Sequence, residues 1–429
     1  MDVVQTISHW VDNAEFAGAG SATAPVTNPA TGETTGQVAL AGVEDARAVI
    51  DAAAAAFPQW RDTSLARRTQ VLFRFRELLN DRKGELAEII TSEHGKVVSD
   101  ALGEVSRGQE VVEFACGIAH LLKGGFTENA STNVDVYSIR QPLGVVAVIS
   151  PFNFPAMVPM WFFPIAIATG NTVVLKPSEK DPSASLWIAN LWKEAGLPPG
   201  VFNVLHGDKT AVDELLTNPT VKSISFVGST PIARYVYATG TAADKRVQAL
   251  GSAKNHAVIL PDADLDLAAD AMVNAGFGSA GERCMAISAC VAVGPTLLDN
   301  VTPQMSVYTD EIFGPVLSVL RVDTYDQALD LINTNPYGNG TAIFTNDGGA
   351  ARRFQNEVQV GMIGINVPIP VPMAYYSFGG WKASLFGDSH AHGLDGVQFF
   401  TRQKAITSRW LDPSSRVSGG IELGFPQNA

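Results

Sequence analysis

The chain has 429 residues, of which 46% are hydrophobic and 17% charged. At about 150 residues per domain this length predicts two or three folded units, and the apolar content excludes intrinsic disorder over most of the chain. Lysine and arginine number 30 against 43 aspartate and glutamate residues, a net charge of −13. This acidic balance argues against a nucleic-acid partner and against attachment to an anionic membrane surface.

The three cysteines, Cys116, Cys284 and Cys290, offer neither a disulfide framework nor the paired spacing of a metal site. We therefore expect no metal ion and a reducing, cytoplasmic environment. The N-terminus has no basic segment followed by an apolar one, so no secretory signal is expected. The charge-free stretch 141–175 is interrupted by five prolines, which favours a buried core over a membrane span.

The organisation of the chain changes near residue 144. Before it, residues 43–125 carry apolar side chains at helical spacing and predict covering helices. After it, β-branched runs alternate with helical stretches, the pattern of a doubly wound parallel sheet that binds nucleotides. One of these predicted helices covers Ser183 to Ala195 and is started by Asp181, with Pro182 at its first position. A second α/β unit starts near residue 254.

Cys284 is a candidate nucleophile. It follows a run of small residues and lies beside Arg283, whose charge would favour the reactive thiolate. A lone cysteine is also typical of a buried core position, so both interpretations stay open at this point. Cys116 and Cys290 lie in helical and apolar surroundings and are predicted to be structural.

Other candidate residues fall at the carboxyl ends of predicted strands, where doubly wound sheets bind their ligands. Asn153 carries an amide that can either donate to a developing oxyanion or satisfy a turn. Lys176 and Glu179 follow the next strand and are otherwise an ordinary exposed pair. Ser229 opens a helix whose N-terminus either meets a phosphate or is merely capped by the serine.

Taken together, these segments resemble the aldehyde dehydrogenase superfamily along almost the whole chain. Five motifs carry the resemblance, in the family's order: Pro151-Phe-Asn-Phe-Pro155, Lys176-Pro-Ser-Glu179, Phe226-Val-Gly-Ser-Thr230, Gly281-Glu-Arg-Cys284 and Glu311-Ile-Phe-Gly-Pro315. The implied fold is α/β, with a Rossmann-type parallel-sheet nucleotide domain, an α/β catalytic domain and a small β oligomerisation arm. The implied boundaries are 1–125 and 143–253 for the NAD-binding domain, 254–398 for the catalytic domain, and 126–142 and 399–411 for the arm.

The resemblance also implies roles for individual residues. Cys284 would be the nucleophile, and Asn153 with the Cys284 backbone N–H would form the oxyanion hole. Lys176 and Glu179 would hold the adenosine ribose of NAD, and Ser229 its pyrophosphate. The full set implied to bind NAD is Phe152, Lys176, Glu179, Ser229, Glu311 and Phe313.

Position 250 departs from the family's general pattern. Hydrolytic members carry a glutamate there that activates water, whereas this chain has Leu250. Without that base a thioester on Cys284 should persist in water, while a thiol supplies some thiolate unaided. Coenzyme A is therefore the expected acceptor.

Three further stretches resemble the CoA-acylating branch called methylmalonate-semialdehyde dehydrogenase: Gly281–Met285, Lys254–His256 and Phe378–Lys382. The branch implies oxidation of methylmalonate or malonate semialdehyde to propanoyl-CoA or acetyl-CoA with loss of the carboxylate, in valine catabolism. It also implies that Arg107 and Arg283 hold the substrate carboxylate, which suits the bidentate geometry of guanidinium. Without the resemblance, a surface or interhelix ion pair explains an arginine at position 107 equally well.

The spacing of two motifs is shorter than the resemblance implies. Glu311 follows Cys284 by only 27 residues, so the catalytic domain is expected to be shortened after residue 293. Two alternatives therefore stand beside the acylating enzyme. One is a catalytically impaired relative that still binds nucleotide, and the other is a hydrolytic aldehyde dehydrogenase with a different base.

The resemblance implies a homo-oligomer, either a dimer or a tetramer. Strands over Asn133–Arg140 and Thr401–Trp410 would then pair outside the parent domain. A two-stranded arm is marginal by itself, so we expect it to pair with a partner subunit.

Overall fold

A computed structural model of the chain describes residues 5–293 and 301–410. The strands are β1 (Gln5–Ile7), β2 (His9–Val11), β3 (Ala14–Phe16), β4 (Thr23–Thr27), β5 (Thr34–Ala39), β6 (Phe126–Ser131), β7 (Val134–Pro142), β8 (Val145–Ile149), β9 (Thr172–Lys176), β10 (Phe202–Val204), β11 (Val221–Val227), β12 (Arg246–Leu250), β13 (Asn255–Ile259), β14 (Ile287–Val293), β15 (Ser318–Val322), β16 (Tyr337–Gly338), β17 (Gly340–Phe344), β18 (Met362–Ile365), β19 (Trp381–Lys382), β20 (Leu385–Phe386) and β21 (Thr401–Ser408). The helices are α1 (Val43–Asp62), α2 (Leu65–His94), α3 (Val98–Cys116), α4 (Ile118–Leu121), α5 (Met157–Ala168), α6 (Ser183–Glu194), α7 (Lys209–Thr217), α8 (Thr230–Ala242), α9 (Leu265–Phe277), α10 (Ser306–Thr309), α11 (Tyr325–Thr334), α12 (Gly348–Glu357) and α13 (Gly393–Phe399).

The largest sheet has the strand order β20-β12-β11-β8-β9-β10-β2-β3. Its five central strands are parallel, and β8 is buried along its whole length because helices cover both faces. The strand order reverses between β8 and β11, which places a ligand-binding crevice outside the carboxyl ends of these strands. The predicted α/β fold class with a doubly wound nucleotide domain is confirmed.

The charge-free stretch belongs to the core of this sheet. Every residue of α5 is buried, including Trp161, Phe162 and Phe163, because the helix lies between the sheet and the covering helices α2 and α3. Burying each of these aromatic side chains stabilises the fold by about 1.5–3 kcal/mol. Among the helices that the structure describes, none is both long and apolar enough to cross a membrane.

Two local expectations about this sheet need correction. Helix α6 begins at Ser183 as predicted, but its first N–H donates to the Glu93 carboxylate at 3.0 Å, so the expectation that Asp181 caps it is wrong. Glu93 comes from the end of α2, and no local pattern could show that contact. The sheet also gains short antiparallel edge strands that the sequence pattern missed: β2 and β3 from the N-terminus and β20 from the later unit.

The second unit is built on a parallel sheet of order β15-β14-β13-β17-β18. Helix α9 packs on one face, and α11 and α12 on the other. Strands β14 and β15 pair directly, and residues 294–317 connect them. A parallel crossover needs a dozen or more residues, so this connection is long enough. Residues 294–300, where the predicted shortening begins, lie outside the described residues.

The arm is a three-stranded antiparallel sheet of order β21-β7-β6. The expected strands over 133–140 and 401–410 exist as β7 and β21 and pair with each other. The expectation of a two-stranded arm is wrong, because the polar run 126–131, which has no alternating pattern, adds the third strand β6. Residue 411, the last of the predicted arm, lies outside the described residues.

Candidate active site

A cavity of about 860 Å³ opens at the carboxyl ends of β8, β9, β11 and β12. This volume falls within the range of small-molecule and cofactor sites, about 300–1,000 Å³. Its walls are mostly apolar, with a few charged groups from neighbouring loops. Eight residues that the sequence predicts for catalysis or cofactor binding line it: Phe152, Asn153, Lys176, Glu179, Ser229, Cys284, Glu311 and Phe313.

The loop before Cys284 is tightly turned. Ser279, Ala280 and Gly281 all have positive φ angles, of 52°, 54° and 76°. A side chain at Gly281 would place its Cβ only 2.1 Å from the carbonyl oxygen of Gly314, so the two loops can meet only at a glycine. This contact brings the segment of Glu311 and Phe313 against the loop that carries the cysteine.

Two asparagines fix the backbone of the cysteine. The carbonyl oxygen of Cys284 accepts hydrogen bonds from the Nδ2 atoms of Asn255 at 2.9 Å and Asn339 at 3.0 Å. Asn255 also donates to the carbonyl oxygen of Ala286. Neither asparagine is among the site residues predicted from the sequence. Asn255 lies inside the stretch Lys254–His256, which resembles the acylating branch of the family. No motif in the sequence pointed to Asn339.

The Cys284 thiol is not activated by its neighbour. Burial, together with the negative charge of Glu311, raises the pKa of Cys284 to about 12. The guanidinium of Arg283 forms an ion pair with Asp100 at 2.8 Å. The expectation that Arg283 favours the thiolate is therefore wrong for this state, and the cysteine is a neutral thiol.

The side chain of Asn153 is tied to the cysteine loop. Its Nδ2 atom donates to the carbonyl oxygen of Glu282, two residues before Cys284, at 2.9 Å. A primary amide carries two N–H groups, so one anchors the side chain while the other remains to donate into the cavity. This arrangement suits a preorganised oxyanion donor.

Lys176 and Ser229 lie at the carboxyl ends of β9 and β11, the two strands that flank β8. Lys176 Nζ is 3.3 Å from the Glu179 carboxylate, and burial lowers the pKa of this lysine. Ser229 occupies the N-cap position of α8, but its hydroxyl makes no capping bond. The N–H of Thr230 donates to Ser252 Oγ at 3.0 Å. The interpretation of Ser229 as a simple cap is therefore wrong.

Glu311 and Phe313 close the other end of the cavity. The Glu311 carboxylate accepts from the Ala253 N–H at 2.8 Å, and burial raises its pKa. Lys254 holds the turn before it by donating to the carbonyl oxygens of Val307 and Asp310, each at 2.8 Å. The rings of Phe313 and Phe152 pack edge to face, with centroids 6.1 Å apart. The loop of Glu311 and Phe313 is thus in contact with the loop that carries Phe152 and Asn153.

The structure does not bring the two predicted arginines into this cavity. Arg107 pairs with Glu110 at 2.8 Å and donates to the carbonyl oxygens of Val371 and Pro372, so it ties α3 to a loop. Arg283 lines a small void of about 20 Å³ next to Cys284. In this state, both guanidinium groups are paired with carboxylates of the protein.

Leu250 is buried at the carboxyl end of β12 and brings no carboxylate to the site. The carboxylate whose charge acts on the Cys284 thiol is that of Glu311, which is itself held by the Ala253 N–H. A base at position 250 is therefore absent in structure as well as in sequence.

This fold is that of a nucleotide-dependent dehydrogenase, and the chain belongs to the aldehyde dehydrogenase family. The sequence model of the aldehyde dehydrogenase family matches residues 16–293 and 290–406. A protein of Pseudomonas aeruginosa named malonate-semialdehyde dehydrogenase is 49% identical, over 97% of this chain and 99% of its own. A Dictyostelium discoideum relative whose name reads methylmalonate-semialdehyde/malonate-semialdehyde dehydrogenase [acylating] is 45% identical, over 92% of this chain and 89% of its own.

A solved structure of similar fold comes from Sinorhizobium meliloti, described as a methylmalonate-semialdehyde dehydrogenase complexed with NAD. It superposes with a TM-score of 0.94 at 46% identity, covering 96% of this chain and 99% of the other. The resemblance stated from the motifs is confirmed at the level of the family.

The alignments also bear on the length of the chain. The alignment with the Pseudomonas relative runs over 493 positions, more than the 429 residues of this chain. At least 64 of its positions therefore have no residue of this chain opposite them. The two segments that match the family meet at residues 290–293, where the motif spacing predicts the shortening.

Proposed function

We propose that this chain oxidises malonate semialdehyde or methylmalonate semialdehyde with NAD and passes the acyl group to coenzyme A. The observation that carries the proposal is one cavity that joins Cys284 and Asn153 to Lys176, Glu179 and Ser229, while position 250 holds a leucine. Relatives named for these two semialdehydes, one of them as acylating, support the choice of substrate.

NAD fits the groups that line the cavity. Lys176 and Glu179 offer a cation and a carboxylate to the hydroxyls of the adenosine ribose. Ser229 offers a hydroxyl at the N-terminus of α8, where the helix dipole favours the pyrophosphate. Glu311 and Phe313 would border the nicotinamide, with Phe152 packed against Phe313. When bound, NAD supplies the acceptor for the hydride that the substrate loses.

The protein's own chemistry starts at the cysteine. The Cys284 thiol first gives its proton to water, and the thiolate Sγ then attacks the aldehyde carbon, so that the oxygen of that aldehyde takes a negative charge. The second N–H of Asn153 and the backbone N–H of Cys284 stabilise this oxyanion. Loss of hydride then leaves an acyl thioester on Cys284.

Arg107 and Arg283 would exchange their carboxylate partners Glu110 and Asp100 for the carboxylate of the substrate. When that carboxylate leaves as carbon dioxide, the electron pair of the broken C–C bond stays on the α carbon as a thioester enolate, which takes a proton from water.

The release step depends on position 250. Leu250 cannot take a proton from water, so hydrolysis of the thioester on Cys284 is slow. The thiolate of coenzyme A attacks the same carbonyl carbon, the bond from that carbon to Cys284 Sγ breaks, and the departing Cys284 thiolate takes a proton from water. The products are acetyl-CoA from malonate semialdehyde and propanoyl-CoA from methylmalonate semialdehyde.

The experiment follows NADH absorbance with the purified chain, NAD and malonate semialdehyde, with and without coenzyme A. We expect steady turnover only with coenzyme A, and at most one NADH per active site without it. The variant Cys284→Ala should form no NADH, while the control Cys290→Ala, at a buried cysteine in β14, should retain turnover. Equal rates with and without coenzyme A would contradict the acylating function.

The length of the alignments favours one alternative, a catalytically impaired relative that binds nucleotide without turnover. Against it, β13, β14 and β15 form a continuous parallel sheet. NAD binding in calorimetry with no thiol-dependent NADH formation would select this alternative. A hydrolytic enzyme with another base would show steady NADH formation without coenzyme A.

We also propose that the protein is a cytoplasmic homo-oligomer, a dimer or tetramer, acting in valine catabolism. Strand β21 is an edge strand with one side unpaired by any described strand, and such an edge favours pairing with a second chain. The bacterial relative supports a cytoplasmic location, whereas the Dictyostelium relative is named as mitochondrial. Light scattering of the purified chain would test the oligomer, and a monomeric mass would contradict it.

A further inference from the structure

We propose that the buried ion pair of Lys96 and Glu104 is a positioning device for Asn153. The two side chains hold the 153–157 backbone from two directions, and neither is assigned a role by the mechanism above. The inference rests on the proposed function, because it requires that Asn153 stabilise the oxyanion on the substrate.

Lys96 follows directly after the end of helix α2, and this position places it at the site. Gly95 ends α2 in the left-handed conformation, at a φ of 87°, and turns the chain inward before α3 begins. The Lys96 ammonium donates to the backbone carbonyl oxygen of Asn153 at 2.6 Å. It also lies 4.3 Å from the centre of the Phe154 ring, an attractive cation–π distance. Lys96 thus contacts Asn153 itself and the residue that follows it.

Glu104 holds the other side of the same loop. One carboxylate oxygen, Oε2, is 2.7 Å from Lys96 Nζ. The other, Oε1, accepts from the backbone N–H groups of Ala156 at 2.9 Å and Met157 at 3.1 Å. These N–H groups open α5 and have no carbonyl partner within the helix, so Glu104 acts as an N-terminal cap supplied by another helix.

The pair is rigid because it is sealed from water. The side chains of Lys96 and Glu104 are 1% and 0% exposed. A buried charge pair is maintained only when its remaining donors and acceptors are satisfied, and here they are satisfied by the Asn153 loop. The loop cannot shift without breaking charge-assisted hydrogen bonds in an environment of low dielectric constant.

The consequence concerns the amide of Asn153. An oxyanion donor is effective only when it is fixed where the charge develops, and a misplacement of about 1 Å costs about 100-fold in rate. Lys96 holds the main chain of Asn153, while the carbonyl of Glu282 holds its side chain. Lys96 and Glu104 are therefore positioning residues that act on the reaction through Asn153.

The test is a double-mutant cycle on the full chain. Lys96→Met, Asn153→Ala and the double variant are compared by NADH formation at saturating NAD and coenzyme A. We expect Lys96→Met to lower kcat by about 10- to 100-fold with little change in the KM for NAD. In the Asn153→Ala background, the same change should cost less than about twofold, because its target is already gone.

Two variants control for general damage. Lys245→Met also removes a buried lysine that donates to backbone carbonyls, those of Asn218 and Val221, before β12 and away from the cavity. It should leave kcat unchanged. Thermal unfolding shows whether Lys96→Met alone unfolds the protein. If it does, the variant Lys96→Met/Glu104→Gln replaces it, because removing both charges leaves no unpaired buried charge.

The outcomes separate the two levels of the proposal. Equal losses from Lys96→Met with and without Asn153, or an unchanged kcat, would overturn the positioning role. If Asn153→Ala itself costs nothing, the oxyanion role in the proposed function fails instead. If the chain has no turnover, crystal structures of the wild type and of Lys96→Met test the inference instead. An Asn153 amide that stays bonded to the Glu282 carbonyl in Lys96→Met would overturn it, and a displaced amide would support it.

Discussion

Arg283 and Asp100 form an ion pair of 2.8 Å across 183 positions of sequence. Asp100 lies in the first turn of α3, where the helix dipole favours a negative charge. The guanidinium packs over Gly278, where an added Cβ would lie 2.6 Å from its Nη1 atom. The pair keeps Arg283 beside Cys284, and we expect the guanidinium to exchange Asp100 for the carboxylate of the substrate.

The first prediction concerns the carboxylate of the substrate. Arg283→Met should raise the KM for malonate semialdehyde by about 10- to 100-fold, the loss expected for a charge-assisted hydrogen bond. Propanal lacks the carboxylate, so its KM should change less than about twofold. Steady-state kinetics with both aldehydes measure the difference. A matched rise in both KM values would mean that Arg283 shapes the loop and does not bind the carboxylate.

The second prediction follows from the raised pKa of Cys284. With a pKa of about 12, the thiol is almost entirely neutral at pH 7, and only its thiolate reacts with iodoacetamide. Between pH 7 and pH 10 the alkylation rate should rise about tenfold per pH unit. Mass spectrometry of the modified peptide measures this rate, with Cys284→Ser giving the background from Cys116 and Cys290. A plateau below pH 8 would show a stabilised thiolate and contradict the structure.

The third prediction installs the missing base. Leu250→Glu places a carboxylate at the end of β12, where the hydrolytic members of the family carry one. We expect continuous NADH formation without coenzyme A, because the new base lets water attack the thioester. The control Leu250→Gln has nearly the same shape and no basic group, and should stay dependent on coenzyme A. If both variants depend on coenzyme A equally, position 250 does not decide the acceptor.

The fourth prediction tests the contact between the two loops of the site. Gly281→Ala would place a Cβ 2.1 Å from the Gly314 oxygen at a φ of 76°, so the loop that carries Phe313 must move. We expect the dissociation constant for NAD to rise by about tenfold or more, which is about 1.4 kcal/mol. Calorimetric titration with NAD measures this change.

The control for that change is Gly84→Ala, in the interior of α2, where a Cβ meets nothing within 4 Å. Helix propensity predicts that it stabilises the fold by about 0.5–1 kcal/mol without any effect on NAD binding. Unchanged NAD affinity in Gly281→Ala, with Gly84→Ala behaving as expected, would show that the contact with Gly314 is not needed for the site.

The sequence by itself determined the fold class, because apolar strands and helices alternate with a period that local chemistry enforces. Strand-end positions pointed to Asn153, Lys176 and Ser229, and the family resemblance pointed to Glu311 and Phe313, all of which line one cavity. The sequence alone was enough to show that position 250 carries no basic side chain. The edge strands β2, β3, β6 and β20 were not predicted, because runs of two to six residues are too short to carry a clear periodic signal.

The tertiary structure alone decided the state of the charged groups. Sequence adjacency predicted that Arg283 would activate Cys284, but the fold turns its guanidinium to Asp100 and buries the thiol near Glu311. The same holds for Lys96 and Glu104, which meet the Asn153 loop only because α3 packs on α5. Charge interactions depend on distance and burial, which are properties of the folded chain, and no local pattern encodes them.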